Sequence, residues 1–226
     1  MPYRAVARLV RELGPTLAGG LLLLAISAWA FAAIADEMAD GETAYDQSIA
    51  EWLHARATDP LTELFEAVTT LGNGIVLAGV TAIAAYLLAR RGRGREAVLV
   101  VLAFAGAEVL SWSLKLGFRR DRPFFTDPLA TESTFSFPSG HSTVSLAVYG
   151  ALAVVLARQL PRRRRALPLA AAAVLVGLIG FSRMYLGVHF LTDVLAGFAV
   201  GTAWLAACVV TLDLHQRLRL RAQTSR

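Results

Sequence analysis

The chain has 226 residues, of which 56% are hydrophobic and only 17% charged, and its mean hydropathy is +0.54. Soluble domains run at roughly 45–50% apolar and about 25% charged, so a disordered chain is excluded and an ordinary soluble enzyme is a poor fit. A single cysteine, Cys208, rules out an intramolecular disulfide and a cysteine metal cluster. The net charge of +5 points either to nucleic acid or to a membrane surface, and the placement of the arginines decides between them.

A bilayer core of roughly 30 Å is crossed by about 20 apolar residues in a helix. Six runs approach that length: Thr16–Ala35, Leu71–Ala89, Glu96–Gly117, Ser139–Ala157, Leu167–Gly187 and His189–Leu212. Too little polar sequence remains to cover six buried core helices. The pattern therefore predicts an all-α integral membrane bundle of six transmembrane helices, one domain over residues 1–226. The first run follows Arg4, Arg8 and Arg11 and ends in Ala33-Ile34-Ala35, which resembles a signal-peptide cleavage site. It is longer than a usual signal core of roughly 7–15 residues, so a retained helix is expected. Between the first two runs, Ile49, Trp52, Leu53, Leu61, Leu64, Phe65 and Val68 recur at helical spacing among acids, with a break at Asp59-Pro60. This predicts one or two short amphipathic helices on the outer surface, a cap without chemistry.

With the N-terminus inside, segments 1–15, 90–95, 158–166 and 213–226 face the cytoplasm and hold 16 of the 22 Lys and Arg residues. That asymmetry obeys the positive-inside rule and accounts for most of the basic charge. Nucleic-acid binding is not expected, because the arginines are split among short loops without stacking aromatics. The remaining six cations are Arg56, Lys115, Arg119, Arg120, Arg122 and Arg183, and Lys115 is the only lysine of the chain.

Lys115 precedes Arg122-Pro123 by seven residues. Pro138-Ser139-Gly140-His141 opens the fourth run. Ser182-Arg183 closes the fifth, and His189 and Asp193 open the sixth. All three groups fall at the outer face. Lys115, Arg122 and Arg183 offer cationic donors, with Asp193 the only matching carboxylate nearby, a set suited to an anion with several oxygens such as phosphate. Ser139 stands at a helix N-cap, and Gly140 lets the exposed N–H groups approach the anion. His189 and Asp193, four apart on one helical face, predict a carboxylate that fixes the imidazole tautomer and frees its other nitrogen for attack. His141 is placed to act as general acid. Three adjacent cations oppose a divalent metal, so no metal and no cofactor is expected. Glu108, Ser111 and Lys115 share one helical face, so Glu108 either makes a buried hydrogen bond or tunes the site. Gly197 and Gly201 form a G-x-x-x-G packing motif.

These groups match K-x6-R-P (Lys115–Pro123), P-S-G-H (Pro138–His141) and S-R-x5-H-x3-D (Ser182–Asp193), and on them the chain resembles the type 2 phosphatidic acid phosphatase family. The resemblance implies metal-independent removal of phosphate from lipid phosphates or pyrophosphates through a phosphohistidine on His189. It assigns Asp193 to orient His189 and His141 to protonate the leaving group. Lys115, Arg122, Ser139, Gly140 and Arg183 then hold the phosphoryl oxygens. Vanadium haloperoxidases share the signature but are soluble. The implied partners are the bilayer and a lipid phosphate, with undecaprenyl pyrophosphate expected first, then phosphatidic acid and phosphatidylglycerol phosphate. A lipid phosphotransferase using the same site, or a non-catalytic membrane transporter or binding protein, is the alternative. Phe190-Leu191-Thr192 departs from the family's tyrosine–proline pattern, and no catalytic consequence is expected.

Overall fold

The computed structural model describes residues 14–39 and 43–224; Arg4, Arg8 and Arg11 lie outside them. Among the described residues eight α-helices follow in order: α1 (Pro15–Ala39), α2 (Ala44–His54), α3 (Asp59–Thr70), α4 (Gly74–Arg90), α5 (Gly94–Phe118), α6 (Gly140–Ala157), α7 (Ala166–Tyr185) and α8 (Leu191–Thr224), with a 3₁₀ turn at Arg162–Arg164. No strand occurs among the described residues.

Five helices are long and apolar enough to cross a membrane on their own. The expected span Leu71–Ala89 is different. Its helix α4 has 17 residues, about 25 Å at 1.5 Å per residue, which falls short of a bilayer core. It becomes a sixth span only when joined to α3, from which it bends by 44°. Asn73 makes that bend, its side chain accepting the Ile75 N–H at 2.9 Å to cap α4. The segment between the first two apolar runs forms two helices, and Asp59-Pro60 lies in the first turn of the second, because proline lacks only an N–H that is unpaired there anyway.

The bundle is apolar outside, and its interior sets a group of buried polar side chains beside an apolar core built around Leu77, Leu99, Val100, Val144 and Val148. Ile75, Ile83, Val109, Leu167 and Val174 are exposed, while Ser111, Lys115, Ser139, Thr143, Ser182, Arg183 and Asp193 are buried. A helix bundle in lipid requires this arrangement, since polar groups are satisfied only by one another. α8 is the central post, packing against α1, α5 and α6, while α7 packs on α6. The G-x-x-x-G of α8 lets it reach α6. A Cβ at Gly197 would lie 2.7 Å from the Ser139 carbonyl, and one at Gly201 2.6 Å from that of Thr143. At one end of the bundle the arginine-rich linkers gather, with Arg95 and Arg158 each 3.0 Å from Asp213. The opposite end holds α2, α3 and the long α5–α6 connection. Phe137 anchors that connection, stacked on Phe31 at 5.8 Å and edge-on to Phe118 at 5.0 Å.

Candidate active site

The three sequence groups converge at the capped end of the bundle. Lys115, in the last turn of α5, donates to the carbonyls of Phe135 and, at 3.4 Å, of Ser136. Arg119 closes α5 in a left-handed conformation, φ 50°, and the chain turns inward so that Arg120 and Arg122 both reach the interior. Arg122 donates to the carbonyls of Thr134 and Val188, each at 2.6 Å, and of Phe135 at 3.2 Å. Those carbonyls fix the guanidinium, and its Nη1 lies 3.2 Å from His189 Nε2. Ser139 caps α6, accepting from the Ser142 N–H at 3.4 Å. At Gly140 a Cβ would come within 3.2 Å of Ser111 Oγ, so glycine keeps that helix start open.

The expected helical pairing of His189 with Asp193 is corrected in one respect: α8 begins at Leu191, and His189 stands in the loop before it. The two still meet, Nδ1 to Oδ2 at 3.3 Å, because Asp193 folds back over the helix start and accepts the Phe190 N–H at 2.8 Å. The tautomer follows from the partners. Arginine can only donate, so Nε2 facing Arg122 carries the lone pair and Nδ1 carries the proton toward the carboxylate. Burial pushes His189 down to about 3, against the opposing pull of the Asp193 hydrogen bond and charge, so the imidazole is neutral at physiological pH.

A cavity of about 230 Å³ is lined by Lys115, Arg122, Gly140, His141 and His189, with Glu108 and Ser111 on its wall, while Ser139, Arg183 and Asp193 are not part of its lining. His141 makes no hydrogen bond among the described residues, so its imidazole is free to take up a partner. Asp193 is not the only carboxylate here. Glu132, from the α5–α6 connection, lines the cavity and pairs with Arg183, and Glu108 lines it without any hydrogen bond or ion pair to a described residue. Arg183, 4% exposed, also donates to Thr69 of α3 at 2.9 Å, and its Nε is buried without a partner. Among the described residues no three His, Cys, Asp or Glu side chains group as metal ligands.

Sequence reasoning missed four residues. Arg120 bonds Asp193 Oδ1 at 2.7 Å and Asp46 Oδ2 at 2.8 Å. Asp46, from α2, accepts the Thr192 N–H at 3.1 Å. Ser136 donates to Asp193 Oδ2, and Glu132 covers Arg183. The cap expected to be inert thus reaches the Asp193 carboxylate from Asp46 by way of Arg120, and Thr192 is part of that contact. Arg120 was visible as an outer cation inside the K-x6-R-P stretch. Asp46 is one of nine acids between residues 36 and 66, and nothing in the sequence singles it out.

Fold and site define a class: a helical membrane protein that gathers cations and two imidazoles around a half-open cavity at one end of its bundle. The model of the PAP2 superfamily matches residues 96–217, more than half of the chain and all three motifs, and the chain belongs to that superfamily. It is 39% identical over 144 residues to phosphatidylglycerophosphatase B of Bacillus subtilis (strain 168), covering 62% of this chain and 70% of that protein. Against the lipid A 1-phosphatase of Rhizobium johnstonii it is 30% identical over 177 residues, 67% of this chain and 68% of the relative. Among solved structures, the transmembrane PAP2 type phosphatidylglycerolphosphate phosphatase of Bacillus subtilis superposes with a TM-score of 0.73 at 32% identity, covering 84% of this chain and 93% of that one. Aquifex aeolicus LpxE superposes with a TM-score of 0.59 at 25% identity, covering 74% and 95%.

Proposed function

We propose that this protein is a lipid phosphatase that works without a metal, at the outer face of the membrane, through a phosphohistidine on His189. The observation that carries the reading is the placement of His189, its Nε2 3.2 Å from Arg122 and its Nδ1 3.3 Å from Asp193, a pairing that suits a neutral ring with its lone pair on Nε2. In the first half-reaction Nε2 forms a bond to phosphorus as the ester P–O bond breaks, and His141, which takes up a proton when the phosphate's negative charge offsets the surrounding cations, gives that proton to the leaving oxygen. In the second, His141 takes a proton from water, whose oxygen attacks phosphorus. The P–N bond then breaks, and phosphate and neutral His189 are restored. Lys115, Arg122, Arg183 and the Gly140 end of α6 stabilise the charge on the phosphoryl oxygens. The excess of arginines at the opposite end of the bundle supports an outward-facing site.

The phosphoryl group itself is what the site reads, so several lipids qualify. Phosphatidylglycerol phosphate and phosphatidic acid are placed first. The relative named phosphatidylglycerophosphatase B supports that order, and so does Glu108, a carboxylate on the cavity wall with no cationic partner among the described residues to offset it against a second phosphate. Undecaprenyl pyrophosphate, the first choice from sequence, follows as a slower substrate. The test is phosphate release by the purified protein in detergent, in excess chelator, on these three lipids. Release, inhibition by vanadate and acid-labile phosphate trapped on the protein but not on His189→Ala are expected. No release from any of the three, full dependence on a divalent metal, or near-normal turnover by His189→Ala would overturn the reading.

A further inference from the structure

We propose that Arg120, locked by Asp46 of the outer cap, is a positioning residue that holds the Asp193 carboxylate with one oxygen turned to His189. The inference rests on the His189–Asp193 pair of the proposed mechanism. Asp193 is fully buried, and its two oxygens have different tasks. Oδ2 receives the Ser136 hydroxyl, the Phe190 N–H and His189 Nδ1. Oδ1 receives Arg120 alone, at 2.7 Å. A carboxylate can rotate about its last bond, and a single charged donor on the far oxygen is what stops it.

Arg120 is in turn clamped on every side. Its Nη2 meets Asp46 at 2.8 Å and Thr43 at 3.3 Å, its Nη1 meets Thr192 at 2.7 Å, and its guanidinium lies 4.4 Å over the Phe190 ring. Asp46 is 1% exposed. Besides holding Arg120, it accepts the N–H and the hydroxyl of Thr192 in the first turn of α8, satisfying an orphan donor of that helix from a segment 146 residues away. One carboxylate of the cap therefore sets both the start of α8 and the arginine that sits on Asp193. The set Asp46, Arg120 and Asp193 carries one net negative charge in a buried place, which the Nδ1–H of His189 faces. Loss of Arg120 would double that charge and strengthen the hold of the dyad on a proton. The other charged and titratable groups around the dyad are Lys115, Arg122, His141 and the Arg183–Glu132 pair, and none of them touches Asp193 Oδ1.

The experiment uses the full chain in detergent, with Arg120→Met, Arg120→Lys and Asp46→Asn, each checked for a monodisperse folded fraction. Turnover on one lipid phosphate is measured across pH. For Arg120→Met, kcat should fall about 10²-fold, as for a misplaced catalytic group, with KM within about threefold and the acid limb of kcat moved to higher pH. Arg120→Lys should recover at least about tenfold of that loss, and Asp46→Asn should show a smaller loss of the same kind. A merely structural role would reduce the folded fraction and leave the pH profile of the remainder in place, and that result, or unchanged kcat in Arg120→Met, overturns the proposal. If Arg120→Met does not fold, Arg120→Lys and Asp46→Asn decide by the same readouts. Failure here with an inactive His189→Ala defeats this inference alone; an active His189→Ala defeats the mechanism beneath it.

Discussion

Gly197 offers a sharp test of how the site is assembled. It sits on α8 one turn beyond Asp193, where an added Cβ would lie 2.7 Å from the Ser139 carbonyl and 2.8 Å from Ser142 Cβ. Ordinary contact begins at 3.4 Å, so Gly197→Ala forces α8 and the start of α6 apart by about 0.7 Å. The obstacle is partly backbone, which cannot swing aside as a side chain can. The two helices carry the halves of the site: Ser139, Gly140 and His141 on α6, Asp193 on α8. A hydrogen bond of 2.9 Å from the Ser139 N–H to the Asp193 carbonyl ties them, and it lengthens toward its limit under that shift. Overpacking of this size costs about 1–3 kcal/mol of stability. A displacement near 1 Å between catalytic groups costs on the order of 10²-fold in rate. Gly197→Ala should therefore melt earlier in detergent and lose 10- to 100-fold in kcat/KM, as rough bounds from the same two effects. Gly177→Ala on α7, with nothing within 4 Å of the added carbon, is the matched control and should keep its activity. A Gly197→Ala protein with wild-type melting and activity within about threefold would show that the α6–α8 contact does not set the catalytic geometry.

Further outcomes are expected. Lys115→Ala and Arg183→Ala should each lose roughly 10²–10³-fold in kcat/KM, the scale for removing one charged donor to a transition-state oxygen; steady-state phosphate release reads it. His189 stands near 3 when folded against an ordinary 6.5, so its contribution to stability is full above pH 6.5 and is lost as pH falls toward 3. Melting midpoints of the wild type should decline across that window more steeply than those of His189→Gln, and parallel curves would contradict the assignment. Replacing Glu108 by Gln removes a charge from the cavity, and the kcat/KM ratio of a prenyl pyrophosphate to a glycerolipid phosphate should rise; an unchanged ratio removes Glu108 from substrate selection. In a Cys208→Ala background, a cysteine at 127 should react with an impermeant thiol reagent on intact cells and one at 163 should not, and the reverse pattern would place the site on the cytoplasmic side.

The sequence by itself determined the bundle, because crossing a bilayer imposes a length and an apolar composition that can be counted. It also picked out the cations and histidines that the fold brings to one end of the bundle, because a lysine, arginines and histidines inside apolar runs have few other reasons to be there. Local capping was legible at Ser139, which starts α6 through its own side chain, whereas the Asn73 cap of α4 was seen only in the structure. Only the tertiary structure decided how α4 completes its crossing, since a bend shared with α3 depends on packing and leaves no periodicity behind. It alone showed that His189 stands ahead of α8 and still meets Asp193, because the carboxylate caps the helix start. Glu132 and Ser136 lie in an irregular connection whose path is set by Phe137 packed among Phe31 and Phe118. Asp46 looks like any acid of an amphipathic cap until the fold brings α2 against the start of α8. A buried carboxylate gains its meaning from the donors around it, and those donors come from segments far apart in the chain.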